Sequence, residues 1–141
     1  MKRLALAPAL ALALLASPAQ AQGFDCIGAE QLEDDAFAIP FARGAGTLAA
    51  AADGPLEALL ALARQEPARP LCILGHAGPQ EGGATTNTQL AARRAAAVAA
   101  DLARRGVARE RLRSEIRVAA FARSRSIPAG RSVTVVVLPA P

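Results

Sequence analysis

The hydrophobic positions change period repeatedly along the chain, and each change predicts an element. Phe37, Ile39 and Phe41 alternate with Ala38, Pro40 and Ala42, the period of a strand, and Pro40 places it at an edge or a strand end. Leu56, Leu59, Leu60 and Ala63 mark one helical face. With Asp53 as cap, Pro55 in the first turn and Pro67 as stop, they predict a helix over 54–66. Leu71 to Gly75 is a continuous apolar run before a Gly-rich loop, the pattern of a central strand buried on both faces, and its end delivers Gly75 and His76. Thr86 and Gln89 have capping-box spacing, and Leu90, Ala91, Ala95, Val98 and Leu102 fall within about 140° of arc. A second helix is predicted over 87–105, closed by Gly106. Ile116 to Phe121 and Val133 to Leu138 read as two more strands. The order β-α-β-α-β-β predicts an α/β (α+β) two-layer sandwich, helices packed on one mixed sheet.

Residues 1–21 have a different character: Lys2 and Arg3, an apolar run from Leu4 to Ala16, and the small-residue site Ala19-Gln20-Ala21. That is the pattern of a cleaved secretory signal peptide, and the run is shorter than the roughly 20 residues a membrane span needs. The expected organisation is a signal over 1–21, an N-terminal extension over 22–36, one domain over 37–138 and a tail over 139–141. No later stretch reads as a membrane span. Gly23-Phe24-Asp25 precedes Cys26 in place of a lipoprotein box, so the expected location is periplasmic, without a lipid anchor. In an oxidising compartment Cys26 and Cys72 are expected to form a disulfide tying the N-terminus to the central strand; a buried free Cys72 is the alternative.

Charge and aromatics narrow the function classes. Aromatics are 3% of the chain, with no Trp and no Tyr, which argues against stacking on nucleic-acid bases or sugars. The net charge of +4 falls to +2 once Lys2 and Arg3 are removed. Its distribution is uneven: residues 22–92 carry three Arg against nine acids, and 93–141 carry eleven Arg against three. No phosphate-cradling glycine pattern, metal-ligand spacing or nucleophile–base pair occurs, so no cofactor, metal or catalysis is expected.

Arg94 stands out. It lies at the edge of the second helix's buried arc, about 40° from Leu90, with no acid at the neighbouring turns. A half-buried guanidinium needs a partner, and its planar fork suits a carboxylate. That carboxylate either arrives with a ligand or belongs to Glu81 or Glu115 in a structural ion pair. Arg93 likewise has no acid at the neighbouring turns of its own helix. His76 reads as a hydrogen-bonded strand-end residue that shapes the following loop.

Gly75-His76-Ala77, the Gly-containing loop, Asn87 through Val98 with Leu90 and Arg94, then Leu102, Gly106-Val107 and Arg111 resemble the OmpA-like C-terminal domain. That family reads GH(T/S)D, a loop with Gly, NxxLSxxRAxxVxxxL, then GV and an Arg. Gly130-Arg131-Ser132-Val133 resembles a shortened form of its closing GRxxNRRV. The resemblance implies noncovalent peptidoglycan binding: Arg94 would take a carboxylate of the stem peptide's diaminopimelate, Asn87 would open the same helix at the pocket wall, and Arg131 would be the remaining closing arginine. It departs at Gly78, where the family has the Asp that takes the ligand's ammonium, and at Ala91, where it has Ser. Loss of that acid implies weakened binding, and Glu81, three residues on, is a possible substitute.

The expected function is therefore noncovalent association with the cell wall in the cell envelope, led by Arg94, with no reaction catalysed. The rival is a diverged scaffold that has lost peptidoglycan binding and uses its Arg-rich half against an acidic envelope protein. A small hydrolase is disfavoured by the missing nucleophile–base pair.

Overall fold

The computed structural model describes residues 23–32, 34–117 and 129–141. Strand β1 (Ala36–Pro40) leads to helix α1 (Asp53–Gln65), strand β2 (Leu71–Gly75), helix α2 (Ala84–Arg104), strand β3 (Leu112–Ile116) and strand β4 (Ser132–Val137). The sheet order is β1-β4-β2-β3. β4 runs antiparallel to both β1 and β2, while β2 and β3 are parallel. The expected layering of two helices on one mixed sheet is what forms.

The two central strands are the most apolar, and every residue of β2 and β4 is buried. One face of these strands carries Leu71, Ile73, Val133, Val135 and Val137, which pack under Leu56, Leu59 and Leu60 of α1 and Val98 and Leu102 of α2. Each such side chain taken fully out of water contributes about 1.5–3 kcal/mol before conformational entropy is charged against it. Pro40 ends edge strand β1, opposite Ser132, where its missing N–H costs the ladder least.

Two elements differ from the sequence expectation. Helix α2 begins at Ala84 with Gly83 as N-cap, so Thr86 lies inside its first turn and makes no capping contact. The third strand occupies Leu112–Ile116 and meets the expected 116–121 only at Ile116; residues 118–121, Phe121 among them, lie outside the described residues. Parallel pairing with β2 sets this register, with Leu112 opposite Leu71 and Ile116 opposite Gly75. An edge strand half-exposed to water needs no apolar run, so Arg113, Ser114 and Glu115 hid it.

Arg111 fastens the start of β3 to the end of α1. Its guanidinium donates to the carbonyls of Ala63, Glu66 and Arg69, occupying acceptors that a helix C-terminus leaves open. The sheet's other face is closed by the N-terminal segment. Cys26 and Ala29 pack on Cys72, Leu74 and Val136, and the Cys26–Cys72 disulfide is formed. Arg113 donates to the Phe24 carbonyl at 3.0 Å and Arg117 to the Cys26 carbonyl at 2.8 Å, so β3 and the residue after it clasp the same segment.

Replacing both Cys26 and Cys72 by Ser is expected to lower unfolding stability by about 4 kcal/mol, the chain-entropy value for a loop of this length. Urea denaturation of the double variant beside the oxidised parent checks this; equal midpoints would show that the segment's packing alone holds it.

Candidate functional site

The site lies at the C-terminal end of β2, and its geometry starts with a glycine. A Cβ on Gly75 would sit 2.3 Å from the Ala91 carbonyl oxygen and 3.1 Å from Ala95 Cβ. Only Gly lets α2 descend this far onto the sheet. One turn further along the helix, Arg94 is thereby carried into the loops that follow β1 and β2, where it is fully buried.

All of its donors are used. Nε donates to the Ala45 carbonyl at 2.8 Å, Nη2 to that of Ala42 at 3.1 Å, and Nη1 to those of His76 at 3.1 Å and Gly130 at 3.2 Å. The fork closes on Glu81, Nη2 to Oε1 at 2.6 Å and Nη1 to Oε2 at 2.8 Å. The guanidinium carbon lies 5.4 Å from the centre of the Phe41 ring, within range of a cation–π contact. The open choice between an external carboxylate and an internal one thus resolves to Glu81, with Glu115 engaged instead by Arg113 and Arg117. Arg94 thus carries its own carboxylate.

Glu81 reaches this position through a single tight turn, Pro79–Glu81. Its N–H donates to the Gly78 carbonyl at 3.2 Å, and the Gly78 N–H donates back to Oε2 at 2.8 Å. Gly44 N–H reaches Oε1 at 2.9 Å from the loop after β1. A carboxylate from three residues downstream is thus brought beside Gly78. Burial alone would raise the Glu81 pKa; the hydrogen bonds from Arg94, Gly44 and Gly78 outweigh it and hold the carboxyl at about 2.

The other expected residues divide between the site and its margin. His76 is buried beneath it, with Nε2 3.3 Å from Thr134 Oγ1 and its carbonyl on Arg94. Burial, reinforced by the charge of Arg117, pushes its pKa down to about 4, so at neutral pH it is an uncharged packing residue. Asn87 is half-buried on the first turns of α2, and its Oδ1 is a buried acceptor with no hydrogen-bond partner among the described residues. Arg93 is exposed and lies along Gly46, where an added Cβ would come within 3.3 Å of its Cβ and Nε. Arg131 is half-buried at the start of β4, its carbonyl accepting from Phe41 N–H at 2.8 Å. Gly130 is pressed against Gly78, where a Cβ would lie 2.7 Å from Gly78 Cα.

Sequence reasoning missed the loop after β1. Ala42, Gly44 and Ala45 supply two carbonyls and one N–H to the ion pair, and Arg43 Nη2 ties this loop to the Gln80 carbonyl at 3.2 Å. Backbone groups leave no residue-type signature; the only hint was a small-residue run after Phe41. The Arg-rich half faces solvent at Arg104, Arg109 and Arg113, yet several of its cations are paired within the chain. Arg104 and Arg105 are paired with Asp101, Arg105 also with Glu57, and Arg113 and Arg117 with Glu115. Much of the basic excess is engaged within the chain. Among the described residues no group of three or more His, Cys, Asp or Glu is placed to hold a metal, and no helix is long and apolar enough to cross a membrane.

A family model described as the OmpA family matches residues 40–132. Among solved structures, the OmpA-like domain of FopA1 from Francisella tularensis subsp. tularensis SCHU S4 aligns with a TM-score of 0.61 at 18% identity, covering 75% of this chain and 73% of that one. The peptidoglycan-associated lipoprotein from Burkholderia pseudomallei aligns at 0.58 and 18% identity, covering 72% and 88%. A putative MotB-like protein from Desulfovibrio vulgaris aligns at 0.59 and 23%, covering 73% and 72%. At these identities the likeness speaks for the fold. No curated protein matches the chain in sequence.

The two depressed pKa values predict stepwise acid sensitivity. His76 titrates at about 4 folded against an ordinary 6.5, so the unfolded chain binds a proton first and stability falls as pH drops through that window. The Glu81 contribution is complete above its ordinary 4.5 and is lost as pH falls toward 2. Each step has a slope of at most about 1.4 kcal/mol per pH unit. Urea midpoints against pH should show both windows, with His76→Gln flattening only the upper and Glu81→Gln only the lower.

Proposed function

The chain belongs to the OmpA family, whose domains bind without catalysing a reaction and are associated with the cell envelope, and from that premise we propose that it associates noncovalently and weakly with peptidoglycan in the periplasm. The single observation that carries this reading is the chemistry of the Arg94 site. A guanidinium fork and the N–H groups of Gly44 and Gly78 converge on one carboxylate, which is the functional group a stem peptide presents. In this structure that carboxylate is Glu81. Uptake of a diaminopimelate carboxylate at Arg94 requires Glu81 to give way, and this exchange, together with the missing acid at Gly78, makes the binding weak. The unpartnered Asn87 Oδ1 at the head of α2 is an acceptor for a ligand N–H, and Arg131 and Arg93 stand at the margin for further anionic groups. The signal pattern over 1–21 supports export.

A second reading is favoured by the completeness of the Arg94 shell. With the cation fully buried and the Glu81 side chain only 3% exposed, the pair also suits a scaffold that has retired its ligand site and acts as a protein-interaction module. The Arg-rich half offers less free charge for that purpose than its composition suggests, since several of its cations are already paired within the chain.

Sedimentation of the mature protein with purified sacculi decides between them. Retention that free diaminopimelate competes away, and that drops at least tenfold in the Arg94→Ala/Glu81→Ala double variant, is expected from the loss of a charge-assisted contact. Removing both partners avoids stranding either charge in the interior. A folded parent that stays in the supernatant would establish the scaffold reading, and release of soluble muropeptides would show a hydrolase.

A further inference from the structure

We infer that the Arg94 fork and the N–H groups of Gly44 and Gly78 form a preorganised carboxylate receptor whose resident occupant is Glu81, a tethered competitor that an external carboxylate must displace. The inference deepens the binding reading by assigning that site its regulation.

The two halves of the pair are held very differently. Arg94 keeps four carbonyl partners besides Glu81, from Ala42, Ala45, His76 and Gly130, and rests on Phe41. Carbonyls orient a cation without neutralising it, so the fork stays aimed when the carboxylate leaves. Gly44 presents its N–H to Oε1 from the loop after β1, and Gly78, which heads the Glu81 turn and is braced against Gly130, presents its N–H to Oε2. Glu81, by contrast, sits at the tip of a one-turn segment whose Gln80, Gly82 and Gly83 are exposed. That segment's tethers are its own turn and the Arg43 bond to Gln80. The receptor is therefore the rigid partner and its occupant the movable one.

Tethering also makes the occupant hard to displace. A group on a short loop faces its receptor at an effective concentration in the millimolar range or above, so an untethered carboxylate of micromolar abundance binds only if other contacts add to its affinity. Apparent affinity falls by the fraction of molecules in which the receptor is empty. Glu81 thus sets a threshold: single carboxylates in solution are rejected, and a ligand that also engages Asn87, Arg93 or Arg131 is admitted.

Glu81→Ala keeps Cβ and removes Cγ and the carboxylate, the four heavy atoms that acetate would replace. In this variant, sodium acetate at about tenfold above its dissociation constant is expected to raise the Tm by about 4 °C over sodium chloride of equal ionic strength. The Gly44 and Gly78 amide resonances should shift with the same saturation curve, acetamide should do nothing, and the parent should respond to neither. A variant unfolded without acetate should be refolded by it. In the parent itself, the Gly44 and Gly78 amide protons should show equal protection from hydrogen exchange, because one carboxylate releases both. Absence of any acetate effect on the variant, an equal effect on the parent, or unlinked protection of the two amides would each overturn the inference. Sacculus retention of Glu81→Ala, expected to rise at least tenfold, separates the two proposals. Acetate rescue without retention leaves the receptor standing and removes peptidoglycan as its ligand, whereas retention without acetate rescue does the reverse.

Discussion

Burying a guanidinium beneath three loops is the constraint around which this molecule is arranged. The desolvation cost of the Arg94 charge is met only because a carboxylate and four carbonyls converge on it, and those acceptors come from segments far apart in sequence: 42–45, 76–81 and 130. The ends of β1 and β2 and the start of β4 are therefore positioned by one side chain of α2. Gly75 is the complementary condition. Any larger residue would lift the helix and withdraw Arg94 from its shell.

The same device recurs with a different purpose at the opposite end of the sheet. Arg111 and Arg69 thread their guanidinium groups among main-chain carbonyls, Arg111 at the end of α1 and Arg69 at the end of β4, on Val137 and Leu138. A chain with so much alanine has few bulky side chains with which to fix its loops, and arginine, long and rich in directional donors, takes over that task. Part of the basic half, Arg94, Arg111 and Arg117, is in this sense scaffolding, whereas Arg93, Arg104, Arg109 and Arg113 face solvent. What remains at the loop end is a small set of arginines, Arg43, Arg93 and Arg131, around a site that is itself neutralised by Glu81.

His76 sits where the two layers of this organisation meet. Its carbonyl belongs to the Arg94 shell, while its ring faces Thr134 on the side of the sheet that the N-terminal segment covers. The disulfide and the Arg113 and Arg117 bonds hold that segment down and keep the outer face dry. The last residues of β2 thus pack against the N-terminal segment on one face and against α2 on the other.

Periodicity alone determined most of the architecture. The alternation at Phe37–Phe41, the helical faces of α1 and α2 and the apolar runs of β2 and β4 are local patterns, and a side chain's preference for one face is legible wherever that face is buried. The helical arc likewise placed Arg94 over the end of β2, because residues at a strand end and on the helix that crosses it must meet. Local pattern also singled out Arg94 as a cation in need of a carboxylate. It did not decide whose carboxylate: Glu81, Glu115 and a ligand were equivalent in sequence, and only the turn at Pro79–Glu81 and the descent of α2 onto Gly75 selected the first. The register of β3, the carbonyls of the 42–45 loop and the fate of the arginines were closed to sequence for the same reason. Backbone groups carry no residue identity, and an ion pair is a fact of distance, which the fold alone supplies.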